Sequence, residues 1–291
     1  MVNKLTTAEQ LMYSTVRIEC PIDKNTSSSG SGFIFHFAQE GEMRVPAIVT
    51  NKHVVRDMTH GFFYMHLASE TEGMPSSESV RIEVPDFEKM WVFHPDPKID
   101  LCILPIAPLL VQFRDKGTPL FYLALERNLI PNEEELAELT ALEDVVMIGY
   151  PNGIWDSLNN MPIFRKGITA THPAVDYEGR SEFMIDMACF PGSSGSPVLL
   201  YNVGGYRSRA GAYMMGQDRI KLLGVLYAGP QHTAEGDVKI VDVPVGQQAV
   251  AISRIPNNLG LIIKAKNLFT FDEILKLRDQ ELKKRQTKHQ S

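Results

Sequence analysis

The string Phe190-Pro191-Gly192-Ser193-Ser194-Gly195-Ser196-Pro197, followed at once by the apolar run Val198-Leu199-Leu200, is the stretch of this chain best suited to chemistry. A serine packed between glycines can be held on a tight, exposed turn, because glycine tolerates positive φ where other residues do not. Neighbouring backbone N–H groups can then converge on the oxyanion that forms when the hydroxyl attacks a carbonyl carbon. A serine is a weak nucleophile until a base takes its proton, so this chemistry also requires a histidine on a rigid element. Of the eight histidines, His53 is set inside Ala47-Ile-Val-Thr-Asn-Lys-His53-Val-Val55, with apolar residues on either side. A polar ring in such a run is either a hydrogen-bonded core histidine or a base. His36 and His66 alternate with apolar neighbours as solvent-facing strand positions do. His60, His94, His172, His232 and His289 sit beside turn residues or in the polar tail and read as surface residues.

A catalytic base needs a carboxylate to fix its tautomer and to stabilise the imidazolium. Asp100 stands at the head of the apolar run Leu101-Cys102-Ile103-Leu104, where a carboxylate is drawn inward and must be paired. Asp96 lies between two prolines and reads as a turn residue, and Asp57 is close to His53 along the chain.

The elements that must position these groups are short and β-like. Segments rich in Val, Ile, Phe and Tyr recur at Ser14 to Cys20, Gly32 to Phe37, Val45 to Thr50, Phe62 to Leu67, Val80 to Val84, Lys89 to His94 and Leu101 to Ile106. A Ser/Gly-rich loop, Asn25 to Gly30, separates the first two. Pro131 to Leu139 carries acidic residues first and apolar residues at helical spacing, as a short connecting helix does. A second series follows at Asp144 to Gly149, Pro162 to Thr171, Glu182 to Met187, Ser196 to Tyr201, Ile220 to Ala228 and Gln248 to Ile255. Asn202 to Arg219 reads as an extended loop or hairpin. Residues 271–285 have a thin apolar stripe, acidic residues first and basic residues last, and predict a C-terminal helix that docks on the body or binds a partner. The divisions expected are an N-terminal β-barrel over 12–125, a linker over 126–143, a C-terminal barrel over 144–258 and a helical tail over 259–291.

The order His53, Asp100, Ser194, with Thr50-x-x-His53-Val-Val, Asp100-Leu-x-Ile-Leu and Gly192-x-Ser194-Gly-x-Pro197, resembles the chymotrypsin/trypsin-like serine proteases. The likeness is to their glutamyl-endopeptidase-like and high-temperature-requirement-like branches, and it covers roughly residues 12 to 258. It implies an all-β fold of two six-stranded antiparallel barrels with the active site between them. It also implies Ser194 as nucleophile, His53 as general base and acid, Asp100 as orienting carboxylate, and the N–H groups of Gly192 and Ser194 as the oxyanion hole. The same resemblance places Ala188 at the floor of the primary pocket and Tyr227, Ala228 and Gly229 along its edge. Without an acidic floor residue, and with Leu226 where the glutamyl endopeptidases carry histidine, the expected P1 residues are small or medium apolar ones. Ser193 replaces the aspartate used in zymogen activation, and no segment of PDZ size follows residue 260.

Composition sets the remaining bounds. The 291 residues are 44% hydrophobic and 22% charged, an ordinary globular mix, and the net charge of −6 argues against a broad nucleic-acid-binding face. No apolar stretch reads as a signal peptide or a membrane span. Cys20, Cys102 and Cys189 are odd in number and not at metal-ligand spacing, and they read as reduced, buried thiols in a cytoplasmic protein. The expectation is a cofactor-independent, metal-free endopeptidase acting on polypeptides, with a regulatory partner at the C-terminal helix. The rival readings are a binding module on the same fold with a blocked cleft, and an esterase using the same triad.

Overall fold

The computed structural model describes residues 5–22, 27–40, 43–71, 73–229, 231–237, 250–256 and 258–289. The first half contains strands β1 (Thr15–Pro21), β2 (Ser27–Glu40), β3 (Met43–Thr50), β4 (His60–Ala68), β5 (Pro75–Pro85), β6 (Val92–Phe93), β7 (Cys102–Pro105) and β8 (Leu120–Phe121). They pair in the order β5-β4-β1-β2-β3-β7-β6, with β8 added beside β4. The second half contains β9 (Asp144–Gly149), β10 (Ile163–Thr169), β11 (Glu182–Asp186), β12 (Pro197–Asn202), β13 (Gly205–Arg207), β14 (Tyr213–Met215), β15 (Arg219–Ala228), β16 (Gln231–Asp237), β17 (Val250–Pro256) and β18 (Leu259–Lys264). Six of these close a barrel in the order β10-β11-β18-β15-β12-β9, while β13–β14 and β16–β17 stand apart as hairpins. The helices are α1 (Thr7–Met12), α2 (Lys52–Val55), α3 (Phe87–Met90), α4 (Ala107–Asp115), α5 (Glu133–Ala137) and α6 (Phe269–His289).

The all-β architecture with a C-terminal helix is the one expected. The first half pairs as an eight-stranded sheet, two strands more than anticipated, and the second is the six-stranded closed barrel. Four local expectations change. Residues 27–30 of the Ser/Gly-rich loop are strand, paired with β1 from Ile18↔Gly30 to Pro21↔Ser27. Gly30 must lack a side chain there because its Cβ would press on Val54. Residues 25–26 lie outside the described residues. Lys89–His94 is not one strand: Asp86 turns the chain at a left-handed φ of 48°, and α3 then sets Phe87 against Trp91 at 5.6 Å, the i, i+4 spacing of a helix. The sixth barrel strand is β18, whose Leu226↔Ile262 and Met184↔Leu261 pairs join it to β15 and β11. Residues 259–264 are therefore barrel rather than tail, and among the described residues β17 pairs only with β16; residues 248–249 lie outside the described residues. Finally, His66 and His94 are buried, not surface residues.

The two halves share a core. One cluster joins Phe33, Phe35 and Phe37 of β2 to Ile148, Leu199, Val225 and Ile263 of the barrel, and reaches Phe271 at the base of α6. Burial of several aromatic and branched side chains across this seam favours a single unit, at about 1.5–3 kcal/mol each. Asp272 extends the anchor: its carboxylate accepts from the Ala38 N–H at 2.7 Å and pairs with Arg127 at 2.6 Å. The base of α6 is thus part of the body.

Candidate active site

β3 ends at Thr50 and the chain turns at Asn51 into the single-turn helix α2, which carries His53. The apolar neighbours Val54 and Val55 are buried and hold this turn in the core of the first half. Asn51 is fully buried, and its Nδ2 donates to the Asp100 carbonyl at 2.8 Å. Lys52 places its ammonium on the Asp96 carbonyl at 2.8 Å. The loop leading to β7 is therefore tied to the His53 turn on both sides.

Those ties deliver the Asp100 carboxylate to the histidine. The His53 Nδ1–H donates to Asp100 Oδ2 at 2.5 Å, and the His53 backbone N–H donates to Oδ1 at 3.1 Å. Burial pushes the Asp100 carboxyl upward, but the hydrogen bonds and charge of His53 outweigh it and leave the group below the ordinary carboxylate range. With Nδ1 committed to the carboxylate, Nε2 is free to act as a base. Asp96 serves as the turn residue expected, its Oδ1 accepting from the Lys98 N–H at 2.8 Å.

Ser194 lies on the turn between β11 and β12. Both flanking glycines adopt left-handed backbone, Gly192 at φ 85° and Gly195 at φ 87°. At Gly195 glycine is required twice over, since a Cβ would overlap the Ser31 carbonyl oxygen and Thr50 Oγ1. The same close approach brings the serine turn against Thr50, three residues before His53. The Ser194 carbonyl accepts from the Ser31 N–H at 2.8 Å, and the Gly195 N–H donates to the Leu226 carbonyl at 2.8 Å. Among the described residues neither the Gly192 nor the Ser194 N–H donates to a protein acceptor. The Pro191 carbonyl accepts from the Asn152 N–H at 2.5 Å. Because a peptide unit is planar, that bond turns the Gly192 N–H the opposite way.

Beside Ser194 opens a cavity of about 270 Å³ lined by Cys189, Phe190, Pro191, Leu226, Ala228 and Gly229. Cys189 lines the cavity in place of Ala188, and Tyr227 turns away, donating its hydroxyl to Glu182 Oε2 at 3.0 Å while its ring joins the shared core. The walls are uncharged: burial pushes the Cys189 thiol up to about 11, so it stays protonated near neutrality. The nearby guanidinium of Arg165 is occupied outside the lining, donating to the Ala188 carbonyl and stacking 4.7 Å from the Phe190 ring centroid. Among the described residues no His, Cys, Asp and Glu cluster could hold a metal.

Residues 30–204 match the family described as trypsin-like peptidase domain. No curated protein matches the chain. Among solved structures, the inactive form of Rv3671c from M. tuberculosis is 15% identical over 92% of this chain and 88% of its own, with a TM-score of 0.42. The active form of the Rv3671c protease is 16% identical over 89% of this chain and 78% of its own, at a TM-score of 0.44. The serine endoprotease from Yersinia pestis is 15% identical over 89% of this chain and 61% of its own, at a TM-score of 0.43.

Proposed function

The chain belongs to the trypsin-like peptidase domain family, and we propose that it works as a serine endopeptidase through His53, Asp100 and Ser194. The observation that carries this reading is the paired hold of Asp100 on His53, at Nδ1 and at the backbone N–H, beside a Gly-flanked serine turn that packs on Thr50, three residues before His53. Ser194 Oγ attacks the peptide carbonyl carbon while His53 Nε2 takes its proton. The N–H groups of Gly192 and Ser194 receive the oxyanion. Collapse of the tetrahedral intermediate breaks the C–N bond, and His53 returns the proton to the leaving amine. A water molecule, deprotonated by His53, then releases the acyl group from Ser194.

The uncharged cavity beside Ser194 supports small or medium apolar P1 side chains, with Cys189, Ala228 and Gly229 as the residues that set its size. A polypeptide is the substrate. A regulatory protein partner would meet α6 on its outer side, where Leu277 is exposed, because Phe271 is committed to the core. Among the described residues no helix is long and apolar enough to cross a membrane. A cytoplasmic setting suits the three buried, unbridged cysteines.

A peptide library scanned at P1, with Ser194→Ala as control, tests the reading. Cleavage after apolar residues by the wild-type chain alone is expected. Equal cleavage by Ser194→Ala overturns the nucleophile. A strong preference for Arg overturns the pocket, and absence of any cleavage favours a binding module with a blocked cleft.

A further inference from the structure

Ser31 lies in β2, in the first half of the chain, 161 and 163 positions from the two residues it holds on the nucleophile turn, and it is fully buried. Its hydroxyl donates to the Gly192 carbonyl at 2.8 Å and accepts from the Tyr150 N–H, at the end of β9, at 2.9 Å. Its backbone N–H donates to the Ser194 carbonyl at 2.8 Å, and its carbonyl accepts from Thr50 Oγ1 at 2.7 Å. One residue thus bonds the barrel, the β3 end that leads to His53, and both Gly192 and Ser194.

The packing leaves this arrangement no slack. A Cβ on Gly149 would overlap Ser31 Oγ and Ser196 Oγ, and one on Gly195 would overlap the Ser31 carbonyl oxygen. Two glycines therefore make room for Ser31. A hydroxyl buried on a seam between two halves, with its donor and acceptor capacity both used, fixes the distance across that seam.

We infer that Ser31 is a positioning residue for the proteolytic reaction: it staples the carbonyls of Gly192 and Ser194 to the first half, which pins the nucleophile turn on both sides of Ser193 and keeps Ser194 in register with His53. The inference rests on the serine-peptidase reading. It assigns to β2 a catalytic consequence that the triad alone does not contain. A triad held across two separate elements works only while both keep their spacing, and a misplacement of about 1 Å costs roughly a hundredfold in rate. Ser31→Ala leaves the Gly192 carbonyl and the Tyr150 N–H buried without a partner, and the turn is then free to relax away from its productive geometry.

The experiment measures kcat and KM on an activated ester, the rate of fluorophosphonate labelling at Ser194, and the thermal midpoint. It compares the wild-type chain, Ser31→Ala, Ser31→Cys and the core variant Ile82→Val, which lies in the first half away from the seam. Ser31→Ala is expected to lower kcat and the labelling rate together by roughly ten- to a hundredfold with KM unchanged. Ser31→Cys, which keeps a weak donor at the same place, is expected to fall between. It also carries the test if the alanine variant does not fold. Ile82→Val should lose midpoint without losing rate. Wild-type rates in the folded Ser31 variants overturn the staple, as does a rate loss no larger than that of Ile82→Val at equal midpoint. If the wild-type chain takes no label, the peptidase reading itself falls, and with it the role of Ser31.

Discussion

Replacing Gly195 with alanine tests how tightly the nucleophile turn is built. The backbone there has φ of 87°, which costs an L-residue about 1–2 kcal/mol. The added Cβ would fall well inside 3.0 Å of both the Ser31 carbonyl oxygen and Thr50 Oγ1, and a real Cβ essentially never comes that close. Relief therefore requires the turn to retreat by about 1 Å from β2 and β3, carrying Ser194 away from His53. A displacement of that size corresponds to roughly a hundredfold in turnover, or about 2.7 kcal/mol of transition-state stabilisation. The assay is kcat/KM on an activated ester together with the thermal midpoint of Gly195→Ala and of the wild-type chain. The expected result is a folded variant whose midpoint falls modestly and whose turnover falls by about two orders of magnitude. A variant with native turnover and native midpoint would show that the turn has room to spare, and the account of its geometry would fail.

Three further outcomes follow from the same structure. Phe271→Ala removes a fully buried ring at the base of α6 and is expected to cost about 3–5 kcal/mol in urea unfolding; a loss below about 1 kcal/mol would mean that α6 is not part of the body. Burial holds the His66 and His94 imidazoles below their ordinary value, so the folded chain keeps them neutral. The unfolded chain takes up protons near pH 6.5, so their contribution is complete above about pH 6.5 and is lost as the pH falls toward the folded-state values. Thermal midpoints between neutral and mildly acidic pH should drop, and His66→Gln should flatten that slope; an unchanged slope contradicts the assignment. Cys189→Asp places an anion in the uncharged cavity, and a P1-scanned library should then shift toward Lys and Arg, whereas an unshifted profile would remove Cys189 from the pocket.

The contact of His53 with Asp100 was legible because His53 interrupts one apolar run and Asp100 heads another, and a polar group in either place needs a reason. Ser31 was not. It falls between the Ser/Gly-rich loop that ends at Gly30 and the strand expected from Gly32, and the pairing of β2 with β1 makes it strand, opposite Arg17. The same blindness to pairing assigned β17 to the barrel and β18 to the tail. Both are short apolar segments, and the choice between them is made by β11 and β15, which are distant in sequence. Strand alternation placed His66 in solvent, but that face is covered, and its Nε2 lies 3.3 Å from the Asn160 carbonyl. Lys89–His94 has strand composition, yet the left-handed turn at Asp86 commits the segment to α3 first. The resemblance points to Ala188 while Cys189 lines the cavity, since an offset along the chain does not carry the direction of a side chain.

In the proposed mechanism Ser194 is a nucleophile activated by His53. Treating the folded chain with a fluorophosphonate and mapping the adduct by peptide mass spectrometry tests it most directly. A single adduct on Ser194, lost in Ser194→Ala and strongly slowed in His53→Ala, is the result expected. No adduct on the folded wild-type chain, or an adduct on another residue that survives Ser194→Ala, would contradict it.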